Sequence, residues 1–463
     1  MKDLKNIKIA YIGGGSRAWA RNLMVDLAKE DDMAGTVALY DIDYEAAKVN
    51  EKIGDFLYKR EDVPGKWKYV AEQDLKSALT GADFVIISVL PGTFDEMDSD
   101  VHTPEKYGIY QSVGDTVGPG GIVRALRTIP IFEKFALAIK EYCPNAWVIN
   151  FTNPMTMCVK TLYKVFPQIK AIGCCHEVFG TQAILSKVVE EYLGEKATRD
   201  DIVINVLGVN HFTWLTEARY KGVDLLPLYK RYIEEHPEGD IKADNEERKA
   251  GGSNTKELVK FDLFKRYGVI AAAGDRHLAE FCPGKWYLKN PETVEKYGFG
   301  LTTVQFRKSQ LKERIDTANK FAAGEKLELY NTGEESVRQI RALLGLGDFV
   351  TNVNMPNCGQ MAGAPLGAVV ETNVYMTGDS VKPVCAGELP VPVAGLVNRI
   401  IATQETVVEA ALEGDYERVF TAFLNDANMD LSIEEARELF DAMLYNTREY
   451  LPYYGKYLES RGK

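Results

Sequence analysis

Short continuous apolar runs, each closed by glycine, proline or polar residues, dominate the first 175 positions of the chain. Residues 7–12 (IKIAYI), 36–40 (TVALY), 83–89 (DFVIISV), 146–150 (AWVIN) and 170–173 (KAIG) read as strands buried on both faces. Between them, 19–29 places Leu23, Leu27 and Ala28 at helical spacing. A second helix continues over 130–142 with Ile131, Phe135, Leu137 and Ile139, and Pro144 stops it. Strands alternating with helices predict an α/β fold with a Rossmann-like, doubly wound parallel sheet. After about residue 200 the rhythm changes. Strands are expected over 203–209 and 212–220, around Phe349-Val350 and over 369–374, and helices over 396–412 and 432–445. Ser432 and Glu435 have capping-box spacing. The charged stretch 234–257, with Gly251-Gly252, reads as a loop or insertion. The expected division is a nucleotide-type domain over 1–200 and a mixed α+β domain over 201–463, sharing one large interface.

Composition narrows the function classes. The 463 residues are 46% hydrophobic and 26% charged, close to the globular average, which argues against disorder or a disulfide scaffold. A net charge of −12 disfavours nucleic acid and anionic membrane surfaces as partners, while leaving room for a small anionic ligand held by a few local arginines. Seven irregularly spaced cysteines fit buried thiols. Without a signal-peptide pattern or a bilayer-length apolar run, the cytoplasm is the expected compartment.

Gly13-Gly14-Gly15-Ser16-Arg17-Ala18 fits G-x-G-x-x-A between a strand and a helix. Gly13 permits the tight turn, Gly15 lets a pyrophosphate approach the backbone, and Ser16 and Arg17 lead into a helix N-terminus whose N–H groups favour anions. Asp41 ends the second strand 26 residues after Gly15, where a carboxylate would take a ribose hydroxyl and favour NAD over NADP. The alternative is a glycine-rich turn with no nucleotide. On these residues alone the chain reads as a dehydrogenase.

Three constellations go beyond that reading. Asn150 and Asn153, in Asn150-Phe151-Thr152-Asn153-Pro154, end a strand where such sheets place ligands. They could orient a ribose or a sugar hydroxyl, or Asn153 could cap the next helix. Cys174-Cys175-His176-Glu177 follows another strand, and Asn210-His211 comes 35 residues later. A thiolate and an imidazole suit a divalent transition metal, or both residues are simply buried. Finally, Gly274-Asp275-Arg276-His277-Leu278-Ala279-Glu280 places charges between apolar flanks, either as a solvated run or lining a cleft.

Nearly end to end, the chain resembles glycoside hydrolase family 4, the NAD- and metal-dependent glycosidases. The matching pieces are Ile9 to Ser16, Val113-Gly114-Asp115-Thr116-Val117-Gly118-Pro119-Gly120-Gly121, Thr152-Asn153-Pro154, the Cys-His pair and Asn210-His211. Cys175-His176-Glu177-Val178 is most similar to the α-galacturonidase branch. The resemblance implies that NAD takes hydride from C3 of the sugar, making the C2 proton acidic. A divalent metal, Mn2+ by preference, stabilises the resulting charge. A base removes the C2 proton, the C1 oxygen leaves, water adds, and the hydride returns. It further implies Cys175 and His211 as metal ligands, His176 as the acid and Asp275 as the C2 base, with Tyr267 as the alternative. Asn153 and Asp115 would lie at the substrate. Arg276, helped by His277 or Lys285, would take a C6 carboxylate, or Arg276 would pair internally with Asp275 or Glu280; Glu177 would read the 4-hydroxyl or support His176. Cys174 is read as a buried neighbour. Homodimers or homotetramers are implied. The rivals are a neutral-sugar α-glycosidase or α-glucuronidase of the same family, a 2-hydroxy-acid dehydrogenase and a non-catalytic NAD sensor.

Overall fold

The computed structural model describes residues 3–240 and 255–462; the insertion expected around Gly251-Gly252 lies outside them. Six strands, β1 (Ile7–Ile12), β2 (Gly35–Tyr40), β3 (Trp67–Glu72), β4 (Phe84–Ile87), β5 (Trp147–Asn150) and β6 (Lys170–Gly173), pair in parallel in the order β3-β2-β1-β4-β5-β6. This is the doubly wound dinucleotide-binding order, with the topological switch between β1 and β4. All four residues of β4 are buried, whereas β3, at the sheet edge, alternates between buried and exposed positions. Unbroken apolar runs are therefore central strands, and the alternating WKYVAE is an edge.

Seven helices serve this sheet: α1 (Trp19–Leu27), α2 (Tyr44–Lys59), α3 (Leu75–Leu79), α4 (Phe94–His102), α5 (Gly118–Tyr142), α6 (Met155–Val165) and α7 (Glu177–Leu193). One face packs Leu23, Leu27, Ile53 and Leu57 of α1 and α2 against Ile9, Val37 and Ile86. The other packs Phe132, Phe135, Ile139 and Leu162 of α5 and α6 against Ala10, Val85 and Val148. Full burial of one such aliphatic side chain contributes roughly 1.5–3 kcal/mol, so the two faces hold the strand ends rigidly. Helix α5 starts at Gly118, twelve residues before the helical pattern becomes readable, and runs through Pro130. Its glycines conceal that start, yet close approach requires them: a Cβ on Gly121 would fall 2.4 Å from the Thr116 carbonyl carbon.

The second half does not form a separate sheet stack. Strands β7 (Val203–Val209), β8 (Phe212–Tyr220), β9 (Val223–Asp224) and β10 (Ile270–Ala271) make a small antiparallel sheet. By contrast, β11 (Phe349–Pro356) bridges to β6 at Asn354 and Gly173. Beyond β12 (Met361–Ala362), which pairs with β15 (Gly387–Glu388), β13 (Val369–Thr377) and β14 (Ser380–Pro383) extend the main sheet to nine strands. Chain from beyond residue 200 thus completes the sheet begun before it. The capping box forms at the helix Ile433–Asn446, where the Ser432 hydroxyl accepts Glu435 N–H at 3.2 Å and the Glu435 carboxylate accepts Ser432 N–H at 3.0 Å. Among the described residues no helix is long and apolar enough to cross a membrane.

Candidate active site

The carboxyl ends of β1, β5 and β6 turn into the Gly13–Ser16 loop, the Asn150–Asn153 segment and the Cys174–Glu177 segment, so all three open on one edge of the sheet. In the glycine loop, Gly13 takes φ 95° and both Gly13 and Gly14 donate their N–H to the Tyr40 carbonyl, at 2.9 and 2.8 Å. Gly15 donates to one Asp41 oxygen and Asp43 to the other, each at 2.9 Å. The Ser16 hydroxyl accepts Trp19 N–H at 3.0 Å and starts α1, and Arg17 pairs with Asp43 at 3.1 Å. Asn50, which sequence reasoning missed, donates to the Gly14 and Ser16 carbonyls at 2.7 and 2.9 Å. A Cβ on Gly15 would meet Ala46 Cβ at 2.6 Å, so only glycine leaves the backbone open here. This cradle fits a dinucleotide pyrophosphate with Asp41 on the ribose side. Asn150 is different. Its amide bonds Thr152 O and Thr152 N–H, both at 3.0 Å, and the residue is buried, so it shapes the segment and does not reach toward a cofactor.

Asp115, in the loop before α5, His211, at the β7–β8 turn, and His277, on the helix Asp275–Phe281, form the one cluster of metal-ligand type among the described residues. One donor atom from each lies within 4.8 Å of the others. His211 adopts φ 64°, which turns it into the cluster, and its ring centroid is 3.7 Å from that of His277. Burial, with the neighbouring His277, pushes His211 down to about 3, leaving a neutral imidazole able to ligate. Its Nδ1 lies 3.1 Å from the Thr116 hydroxyl. Burial works against the Asp115 charge, but Arg124, His277, His211 and the Thr116 hydroxyl together hold its carboxyl at about 2. Asn153 donates to Asp115 at 3.4 Å and leaves its own Oδ1 buried without a partner; it caps no helix. His277 Nδ1 and Asn210 Oδ1 are likewise buried and unpaired. Two imidazoles, a carboxylate and these free polar atoms fit a borderline divalent transition ion.

Cys175 lies outside the 4.8 Å group. Its thiol bonds the Asn210 side chain, and burial together with Glu371 and Glu177 pushes it well above the ordinary thiol range. Cys174 is buried and accepts from Gln339, matching its expected role as a neighbour. The His176 side chain is 49% exposed, stacked on Trp19 at 5.7 Å, with Glu334 3.8 Å from Nδ1. Glu177 accepts Gly274 N–H at 2.9 Å and stands 3.6 Å from His277 Nε2. Burial opposes its charge, but His277, His211 and His176 hold it at about 2.

Two expectations need correction. Asp275, expected as the C2 base, is 0% exposed, and its oxygens accept the N–H groups of Val259 and Lys260 at 3.1 and 3.0 Å. It caps the helix Leu258–Tyr267, the natural task of an acid at a helix N-terminus, and presents no oxygen to the cluster. The alternative, Tyr267, packs edge-on to Trp214 at 5.7 Å, within the apolar cluster of the second half. Arg276, expected at a substrate carboxylate, donates to the Ser112 carbonyl and the Thr302 hydroxyl. Its helper Lys285 pairs with Asp430 at the surface. Sequence reasoning also missed Arg124, which donates to the Asn153 carbonyl at 3.2 Å, and Glu280, which accepts Val113 and Gly114 N–H at 2.6 and 2.8 Å. Glu280 stood in the charge run already noticed; Arg124 follows the glycines of α5, and its spacing gave no signal.

A dinucleotide-type parallel sheet thus carries, at its carboxyl edge, a cluster of metal-ligand type. The family 4 glycosyl hydrolase model matches residues 8–191 and that family's C-terminal domain matches 206–429, so the chain belongs to the family 4 glycosyl hydrolases and is a glycoside hydrolase. An α-galacturonidase of Thermoanaerobacterium saccharolyticum is 61% identical over 96% of this chain and 97% of its own. A crystal structure from Bacillus subtilis superposes with TM-score 0.90 at 50% identity, covering 95% of this chain and 100% of that one. The 6-phospho-β-glucosidase of Thermotoga maritima, solved with manganese, NAD+ and glucose-6-phosphate, shares the fold (TM-score 0.76, 21% identity, 96% of this chain and 99% of that one).

Proposed function

We propose that this glycosidase is an α-galacturonidase that works with NAD and a divalent metal, Mn2+ by preference. The carrying observation is that the glycine cradle and the Asp115–His211–His277 cluster open on the same sheet edge, in a chain 61% identical to an α-galacturonidase. NAD would lie on Gly13, Gly15, Ser16, Arg17 and Asp41, and the metal among Asp115, His211, His277 and Cys175. When bound, the pair would supply a reversible hydride acceptor for C3 and charge stabilisation at the C2 and C3 oxygens. The protein's own part follows from its contacts. Asn153, with a free Oδ1 and an amide nitrogen leaning on Asp115, orients sugar hydroxyls. Arg124 keeps Asp115 ionised and fixes the Asn153 carbonyl. Glu177 holds His277 and the Gly274 backbone in register. His176, exposed and flanked by Glu334 and Trp19, gives a proton to the departing C1 oxygen.

The test is hydrolysis of nitrophenyl α-galacturonide, α-glucuronide, α-galactoside and α-glucoside by protein stripped of cofactors, then resupplied with NAD+ and Mn2+. Galacturonide cleavage that requires both additions is expected, with no lasting NADH absorbance. Turnover of neutral glycosides alone would overturn the substrate, activity without either addition would overturn the chemistry, and net NADH production would mark a dehydrogenase.

A further inference from the structure

A galacturonide carries a C6 carboxylate, so the proposed reading requires a cation at the sugar site. The cations expected there are engaged elsewhere. Arg276 is tied to Ser112 and Thr302, Lys285 to Asp430, and His277 to the cluster with Asp115 and His211; Arg124, not expected there, donates to the Asn153 carbonyl. The helix Val304–Ala322 supplies another. Its entry is docked on the loop that carries Asp115: Thr302 N–H donates to the Ser112 carbonyl at 3.1 Å, and the Thr302 hydroxyl donates to the same oxygen at 2.7 Å. Thr303 caps the helix, accepting Phe306 N–H at 3.3 Å. Arg307 therefore sits in the first turn of a helix anchored three residues from Asp115 in the loop.

Lys308, beside it, points to Asp95 on α4. Arg307 has no such partner. Its Nε is buried without a hydrogen bond, and among the described residues no carboxylate pairs with its guanidinium. Its charge registers on both sides of the site: Asp115 favours it, and it in turn opposes the charge of Arg276. Asp115 is already shared by Arg124, Thr116 and Asn153. A partly buried guanidinium, its Nε fully enclosed, with no anion of its own is costly until one arrives.

We infer that Arg307 is the guanidinium that receives the C6 carboxylate of the substrate, while Arg276 stands behind it as a positioning residue for the Ser112–Asp115 loop. This rests on the galacturonidase reading. A planar fork matches a carboxylate with two parallel hydrogen bonds. A neutral galactoside would leave the fork unpaired, so the same residue both attracts the uronate and rejects its neutral counterpart.

The experiment compares the holoenzyme, with NAD+ and Mn2+, and its Arg307→Gln and Arg307→Lys variants. Substrates are nitrophenyl α-galacturonide, its C6 methyl ester and nitrophenyl α-galactoside; free galacturonate and galactose serve as competing ligands. Arg307→Gln should lower kcat/KM for the galacturonide about 10- to 150-fold and raise the inhibition constant of galacturonate in parallel. The ester and galactoside should be unchanged or improved, so the discrimination ratio collapses. Arg307→Lys, which keeps the charge and loses the fork, should show a smaller change in the same direction and serves if the glutamine variant folds poorly. A variant that keeps the wild-type ratio, or loses all three substrates alike, overturns the inference alone. A wild-type enzyme without preference for the galacturonide overturns the parent reading along with it.

Discussion

Ser112 and Arg276 are bonded in both directions: the Arg276 guanidinium donates to the Ser112 carbonyl, and the Ser112 hydroxyl donates to the Arg276 carbonyl. One helical turn further, Glu280 receives the next two N–H groups of the same loop. The helix Asp275–Phe281 therefore grips residues 112–114 from side chain and backbone together, and brings His277 against Asp115 and His211. The approach of His277 to Asp115 is thus a property of this helix–loop pair, with His211 brought in from the β7–β8 turn.

Loosening that grip should disturb the metal before the sugar. Arg276→Lys removes the Nη2 group that serves both the Ser112 carbonyl and the Thr302 hydroxyl, a loss of about 1–3 kcal/mol in stability. Mn2+ affinity and kcat should fall together by roughly tenfold, while the ratio of galacturonide to galactoside activity stays as in the wild type. Calorimetric Mn2+ titration and thermal denaturation measure both. A collapse of the substrate ratio would instead put Arg276 at the substrate.

Glu280 gives a pH dependence. Burial raises its carboxyl to about 8, only partly offset by the Val113 and Gly114 N–H groups. Unfolded, the same group titrates near ~4.3. Between those values the folded chain holds a proton that the unfolded chain has lost, so this residue makes stability fall as pH rises from about 4.3 toward 8, and flat above it. Glu280→Gln keeps an acceptor for the loop and removes the titration. Urea unfolding at several pH values should show a shallower decline for the variant and a gain over wild type at pH 9. Parallel curves for the two proteins would refute this.

Five of the first six strands and the glycine loop were legible because continuous apolar runs bounded by glycine have few other outcomes in a folded chain. The edge strand β3, whose WKYVAE alternates between buried and exposed positions, carried no such run and was missed. The partners of the strands were less legible. Strands were expected around Phe349-Val350 and over 369–374, yet nothing local says that Asn354 will pair with Gly173 and extend the parallel sheet by antiparallel strands. The run from Asp275 to Glu280 was recognised as a cluster of charges, but a sequence shows which charges are neighbours and not which way a short helix turns them. Asp275 went to a helix cap, Arg276 and Glu280 to a loop, and His277 to the metal cluster. Arg307 lay in an ordinary charged helix and could be singled out only once its lack of a partner was visible.

Cofactor binding can be probed at one atom. A Cβ on Gly13 would stand 2.0 Å from the Ser88 carbonyl oxygen, on a residue with φ 95°. Gly13→Ala must therefore displace the turn or β4. At a concentration 100-fold above Kd, NAD+ should stabilise the wild type by about 2.7 kcal/mol, and the variant should show little or no such shift. A variant whose melting temperature responds to NAD+ as the wild type does would remove the cofactor from this loop.

Cys175 offers the sharpest test of the metal shell. Its thiol faces the Asn210 side chain, one residue before His211, and the Glu371 and Glu177 carboxylates help burial keep it protonated. Both acids act by repelling a negative sulfur, and a divalent cation beside them would reverse that balance. Binding should therefore expel the thiol proton and place a thiolate on the metal. Cobalt(II) reports this directly: the loaded wild type should show a thiolate-to-cobalt charge-transfer band in the near ultraviolet, with about one proton released per ion bound. Cys175→Ser should lose the band and bind the ion more weakly, while His277→Ala should keep the band and weaken binding separately. If wild-type cobalt protein shows no such band, the ion is held by Asp115, His211 and His277 alone, and Cys175 returns to being a buried neighbour of Asn210.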